Sequence, residues 1–274
     1  MPNLSDETKF LIDFNVQDVA VALGFNISAS AGAVILDTSE ADFVAYINEA
    51  NQTVTEVATR LLSTDESIGA MVNNLSQYKR ILAIGDSITT YRYSYARMLA
   101  PLLPQAEVIN HGYSGYTSNH GLELTHTRFL GLQPDLVFIK YGVNDCKRFS
   151  GANGRTLVSA DDYRGNISGI INAFQQYSDA KIFLLTPTPI VSEIVDPNED
   201  FKAVYMHWQN RDIKQFSEIV RELSDEFQTK FVDLYSTLGD DPDASLYLAD
   251  GLHPNFAGHQ KILKTIALSF QITS

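Results

Sequence analysis

Residues 80–89 read Arg-Ile-Leu-Ala-Ile-Gly-Asp-Ser-Ile-Thr, a short apolar run from Ile81 to Ile84 that breaks directly into glycine, an acid and a serine. A run this short, without polar alternation and with a turn signal at its end, reads as a strand buried on both faces. Four more runs follow, Glu107 to Asn110, Leu136 to Lys140, Ile182 to Leu185 and Phe231 to Leu234, with room for a helix between successive ones. Strands alternating with helices predict an α/β fold, a five-stranded parallel sheet covered on both faces. In such sheets a ligand sits outside the carboxyl ends of the strands, near the point where strand order reverses. The chemistry is therefore sought in the residues that follow each strand.

After the first strand, Gly85-Asp86-Ser87 sets a hydroxyl at the tip of the sheet, near the positive end of the next helix. That is a place for a nucleophile or for a simple helix cap. No G-x-x-x-x-G-K-[ST] follows, which excludes a phosphate loop of that type. After the second strand, His111-Gly112-Tyr113-Ser114-Gly115-Tyr116-Thr117-Ser118 carries glycines that free backbone N–H groups to point into a cavity, as an oxyanion site requires. After the third, Tyr141-Gly142-Val143-Asn144-Asp145 offers the neutral amide donor of Asn144, with Asp145 expected to cap a following helix. Beyond the fifth, Asp250-Gly251-Leu252-His253-Pro254-Asn255 spaces a carboxylate and an imidazole so that the acid can hold one ring nitrogen and leave the other free. Ser87 as nucleophile, His253 as base, Asp250 as its orienter, and Gly115 with Asn144 as oxyanion donors are the parts of an acyl-transfer site.

These blocks resemble those of the SGNH (GDSL-type) hydrolases. The resemblance runs from residue 80 to about residue 265 and rests on GDSIT, the glycine of HGYSGYTS, GVND and DGLHPN. It implies a flavodoxin-like three-layer α/β/α sandwich and a serine esterase. By the same resemblance, the backbone N–H groups of Ser87 and Gly115 and the side chain of Asn144 form the oxyanion hole, and Asp250 and His253 complete the triad. No metal and no organic cofactor is expected. The expected reaction removes a small acyl group, acetyl above all, from a polar alcohol such as a carbohydrate, through an acyl-enzyme. Lysophospholipase, thioesterase and acyltransferase activities use the same groups and stay open. A more remote alternative is a catalytically silent carbohydrate-binding or scaffold protein.

Tyr91, Tyr93, Tyr95, Tyr113, Tyr116 and Tyr141 cluster around the first three blocks; Tyr116 and Tyr141 are the candidates for a substrate wall, against the alternative of packing with the hydroxyl at the surface. His111, His120 and His126 lack metal-ligand spacing and are expected as polar loop or surface residues. Cys146, directly after GVND, is expected as a small buried residue at a helix start.

The first 79 residues differ in kind. They hold 11 acidic and 3 basic residues, one of the 9 prolines and three of the 16 glycines. The division expected is a mainly helical N-terminal extension, 1–79, before a catalytic domain, 80–274. Ser5 to Leu23 reads as one helix, Ile27 to Leu36 as a short hairpin around Ala31 and Gly32, and Ser39 as the start of a helix whose apolar seam is Phe43, Ile47, Ala50, Val54, Val57 and Leu61. A further helix starts at Thr64 to Glu66 and buries Ile68, Met71 and Leu75. The seam packs against neighbours in the chain or against a second copy, giving a homo-oligomer through these helices. A net charge of −13 opposes nucleic-acid and anionic-membrane partners, so the partner expected is a small-molecule or carbohydrate ester. With one cysteine and no apolar leader, the compartment expected is the cytoplasm, or outside the cell if a signal peptide has been removed.

Overall fold

The computed structural model describes residues 2–14 and 27–271. Strands β1 (Arg80–Gly85), β2 (Glu107–Gly112), β3 (Leu136–Lys140), β5 (Lys181–Leu185) and β7 (Lys230–Val232) form one parallel sheet in the order β2-β1-β3-β5-β7. A separate antiparallel ribbon pairs β4 (Arg148–Phe149) with β6 (Met206–His207). The chain leaves β1 for one side and returns to the other, so strand order reverses at β1. There Gly85 lies opposite both Gly112 and Lys140, the position at which parallel sheets of this kind take their ligands. The five expected strands are all present. The last is shorter than expected because Asp233 caps Ser236 N–H and turns Leu234 into the start of a helix.

The helices are α1 (Asp6–Asp13), α2 (Ala29–Ile35), α3 (Glu40–Thr64) and α4 (Glu66–Leu75) before the sheet. Within and after it come α5 (Ser87–Thr90), α6 (Tyr95–Leu102), α7 (Ser118–Leu124), α8 (Ala160–Tyr177), α9 (Ser192–Val195) and α10 (Glu199–Ala203), then α11 (Asn210–Glu226), α12 (Leu234–Leu238) and α13 (Phe256–Leu268). One layer packs α13 on α4 and α6, with α3 also against α6; the other packs α8 on α7 and α11. Among the described residues no helix is long and apolar enough to cross a membrane.

In the N-terminal segment, Ser39 accepts Asp42 N–H to start α3, which buries Phe43, Ala50, Val54, Ala58 and Leu61, while Ile47 and Val57 are only half-buried. Asp65 caps α4, and Ile68, Met71 and Leu75 are its buried face. From Val54 onward these residues belong to the same apolar core as the strands, whereas Ile12, Ala33, Leu36 and Phe43 make a smaller cluster of their own. The seam thus finds its cover within the chain over this length. The expected hairpin at Ile27 to Leu36 is instead helix α2, capped by Ser28 on Ala31 N–H. Gly32 sets how this helix seats: a Cβ there would lie 3.0 Å from the Phe43 ring, so its absence lets α2 lie close on α3. The helix expected from Ser5 to Leu23 is observed from Asp6 to Asp13, and residues 15–23 of that span lie outside the described residues.

Candidate active site

Ser87 is the first residue of α5, directly beyond β1. The cap of this helix is Asp86, whose carboxylate accepts Ile88 N–H at 3.0 Å, so the serine hydroxyl is released from capping. The turn is tight because residue 85 has no side chain: a Cβ on Gly85 would stand 2.3 Å from Thr89 Oγ1 and 2.5 Å from the Lys140 carbonyl.

Ser87 Oγ lies 2.9 Å from His253 Nε2, and His253 Nδ1 lies 2.6 Å from Asp250 Oδ2. With Nδ1–H donated to the carboxylate, Nε2 is left to accept the serine proton. The acid and the base belong to one turn. Asp250 Oδ1 also accepts the backbone N–H groups of Leu252 and His253 at 2.9 and 3.0 Å, and Gly251 takes φ +68°, a conformation open to glycine. Burial pushes the Asp250 carboxyl up, but the facing imidazole and these donors outweigh it and hold it below the usual carboxylate range.

The two other blocks meet each other at the ends of β2 and β3. Gly115 has φ +80° at the exposed tip of the β2–α7 loop, and Tyr116 N–H donates to Tyr113 O to close the turn around it. Asn144, 7% exposed, donates Nδ2–H to the Tyr116 carbonyl at 3.1 Å, leaving its second amide hydrogen for another acceptor. Asp145 does cap a helix, but not the one expected. After GVND the chain makes a turn rather than a helix, and Asp145 Oδ1 accepts from Ser118 N–H (2.9 Å) and Ser118 Oγ–H (2.5 Å) at the start of α7. The glycine loop and the asparagine loop are thereby locked together.

Of the other expectations, those for Tyr141 and His111 change, while His120 and His126 are exposed as expected. Tyr141 is 1% exposed, its ring packed where a Cβ on Gly121 would be 2.6 Å away, so it does not line a substrate wall; Tyr116 is partly exposed and stacks on His120. His111 is buried on Phe129 and bonded to Tyr113 Oη, and burial pushes its pKa down to about 4; His120 closes a capping box on Thr117, and His126 is exposed. Cys146 is buried as expected, in a turn rather than a helix start, with Sγ toward the Val143 carbonyl. Trp208 is buried too, donating to the same carbonyl. Among the described residues no group of His, Cys, Asp and Glu could hold a metal. Two surface depressions around Lys181 lie at the amino ends of the strands and share no residue with this site.

Two features carried no recognised motif. Lys140, the last residue of β3, is fully buried with Nζ 3.2 Å from Asp86 Oδ2. A lysine ending an otherwise apolar strand was the available signal. The Phe14 ring centroid lies 4.5 Å from that of His253, contributed by a segment in which the sequence shows no chemistry.

A parallel α/β sheet with Ser, His and Asp hydrogen-bonded in series at its carboxyl edge is an arrangement that serine hydrolases use. The chain belongs to the GDSL-like lipase/acylhydrolase family, whose model matches residues 83–261, and is a carboxylic-ester hydrolase. It is 23% identical over 193 residues to the human (Homo sapiens) isoamyl acetate-hydrolyzing esterase 1 homolog, covering 67% of this chain and 77% of that one. It is 26% identical to an acetylxylan esterase of Xylanibacter ruminicola, covering 70% of this chain and 43% of that one. Among solved structures, an acetylxylan esterase from Geobacillus stearothermophilus superposes with a TM-score of 0.55 at 21% identity, over 71% of this chain and 95% of that one. A lipase/acylhydrolase from Enterococcus faecalis gives 0.53 at 22% identity, over 69% and 94%.

Proposed function

We propose that Ser87 is the nucleophile of an esterase that removes a small acyl group, acetyl, from a polar alcohol such as a carbohydrate. The observation that carries this reading is the unbroken chain Ser87 Oγ, His253 Nε2, His253 Nδ1, Asp250 Oδ2, with links of 2.9 and 2.6 Å. His253 takes the serine proton as Oγ attacks the ester carbonyl, and Asp250 stabilises the imidazolium that results. The negative charge that forms on the carbonyl oxygen is met by the N–H groups of Ser87 and Gly115 and by Asn144 Nδ2–H. His253 then gives its proton to the departing alcohol, leaving an acyl-serine that water cleaves by the same route in reverse. None of these steps uses a cofactor.

The acetyl and carbohydrate parts of the reading are supported by relatives and structural neighbours named for isoamyl acetate and acetylxylan. The chain's net charge of −13 also suits a neutral alcohol better than an anionic lipid. The test is hydrolysis of p-nitrophenyl esters from acetyl to dodecanoyl, then of acetylated xylo-oligosaccharides, with wild type and Ser87→Ala. Activity highest on acetyl and absent in Ser87→Ala is expected, with a fluorophosphonate probe labelling Ser87. An optimum at long acyl chains would overturn the acetyl assignment in favour of a lipid-directed acylhydrolase, and an active Ser87→Ala would remove Ser87 as nucleophile.

A further inference from the structure

The end of α1 is built into the catalytic site. Its final carbonyls, which a helix leaves without internal partners, are taken up by residues that flank the catalytic blocks. Arg92, just beyond the nucleophile helix α5, donates its backbone N–H to Asp13 O at 2.7 Å and Nη2–H to Ile12 O at 3.2 Å. Ser114, the neighbour of Gly115, donates Oγ–H to Phe14 O at 2.8 Å. The Phe14 ring, 3% exposed, stacks on Tyr91 at 5.0 Å and tilts over His253 at 4.5 Å. Phe10, one helical turn back, packs on Phe14 at 4.6 Å, stands T-shaped to His253 with ring centroids 6.4 Å apart and an interplanar angle of 74°, and remains 44% exposed. Phe10, Ile12, Asp13 and Phe14 lie outside residues 83–261, the span shared with the family, while their partners Tyr91, Arg92, Ser114 and His253 lie within it.

A surface against the imidazole has a definite side in the reaction. His253 must protonate the departing alcohol, so that oxygen and its substituent leave alongside the ring, while the acyl group stays on Ser87. We infer that α1 supplies the alcohol subsite, with Phe10 the aromatic face on which the apolar side of a ring-bearing alcohol rests. An aryl ring or the C–H face of a pyranose is the chemistry that fits an exposed phenyl standing across the base. Phe14 is the floor on which Phe10 stands. The half-exposure of Phe10 is thereby explained: an apolar side chain is held open beside the base by a helix end bound at three carbonyls.

The inference rests on ester hydrolysis at Ser87 but not on the identity of the acyl group. The test compares kcat/KM for benzyl acetate and ethyl acetate, whose alcohols are similarly poor leaving groups, in the full-length wild type, Phe10→Ala and Phe10→Tyr. The benzyl-to-ethyl ratio is expected to fall about 3- to 10-fold in Phe10→Ala, the scale of one aromatic contact, and to be kept in Phe10→Tyr. An unchanged ratio, or an equal loss on both esters, would overturn the subsite. The p-nitrophenyl series fixes the alcohol and varies the acyl group. If it shows a preference for a longer acyl chain, the acetyl assignment fails and the benzyl and ethyl esters of that acid carry the same comparison.

Discussion

Lys140 and Asp86 form a fully buried ion pair, Nζ to Oδ2 at 3.2 Å with side-chain exposures of 0% and 1%, one residue from Ser87. The pair links the end of β3 to the turn that carries Ser87. Burial pushes the lysine pKa down, and the Asp86 carboxylate opposes that shift by stabilising the ammonium. Two charges taken out of water contribute little net stability together, but either one alone is costly.

Breaking the pair from one side should therefore be far worse than removing it whole. Lys140→Met strands the Asp86 charge and is expected to cost about 3–5 kcal/mol. Adding Asp86→Asn, which keeps the acceptor that caps Ile88 N–H, should recover most of that loss. Urea unfolding of the single and double variants measures both; a double variant no more stable than Lys140→Met would show that the lysine acts through packing alone.

Asn144 is expected to act on the transition state. In the proposed mechanism its amide meets charge that appears only as Ser87 attacks, so Asn144→Ala should lower kcat on the order of 10² to 10³ while changing KM much less. Asn144→Asp should be at least as damaging, since a carboxylate repels the oxyanion. Steady-state kinetics on one soluble ester, with circular dichroism for folding, separates this from ground-state binding, which would move KM alone.

Asp145 should make the protein less stable as pH rises. Burial lifts its pKa from 3.8 to about 6, against the pull of the Ser118 donors, so the folded state holds a proton that the unfolded state releases earlier. The stability tied to that proton is present below pH 3.8 and is lost as pH climbs through about 6. By pH 7 the difference is about 3 kcal/mol. Asp145→Asn keeps an acceptor for Ser118 and carries no charge, so its Tm advantage over wild type is expected to grow from pH 4 to pH 7. Asp13, which burial also lifts to about 6, shares the direction and leaves part of the decline in the variant. A Tm difference constant with pH would mean that Asp145 does not titrate in this window.

Removing residues 1–79 should unseat the catalytic domain. The buried face of α4, Ile68, Met71 and Leu75, packs on α13, and α3 covers α6. Without them an apolar strip is left in water. Aggregation or a large fall in Tm is expected by light scattering and thermal unfolding; a soluble monomer with unchanged Tm would make the segment a separate appendage.

The strands and the turns that follow them were legible because their signals are local. Ile81 to Ile84 is apolar because both faces of β1 are covered, and glycine, acid and serine follow because a strand must turn into a helix within three residues. The turn holding Asp250 and His253 spans four residues, so spacing alone brought acid and base together. At Ile27 to Leu36 local signals misled: glycine between small residues suggested a hairpin, whereas the segment is a helix capped by Ser28, with Gly32 set against the Phe43 ring of another element.

What the sequence by itself determined is the α/β class, the five strands and their order along the chain, and the residue types of the site. Each depends on neighbours a few positions away. Only the tertiary structure decided that Asp145 caps α7 across 27 residues, that Lys140 spends its charge on Asp86 across 54, and that Phe14 lies on an imidazole borne more than two hundred positions later. The reason is physical. A buried charge or an exposed ring is unfavourable by itself, and its partner is chosen by which loops the parallel sheet gathers at its carboxyl edge, a geometry that appears only when the strands pair.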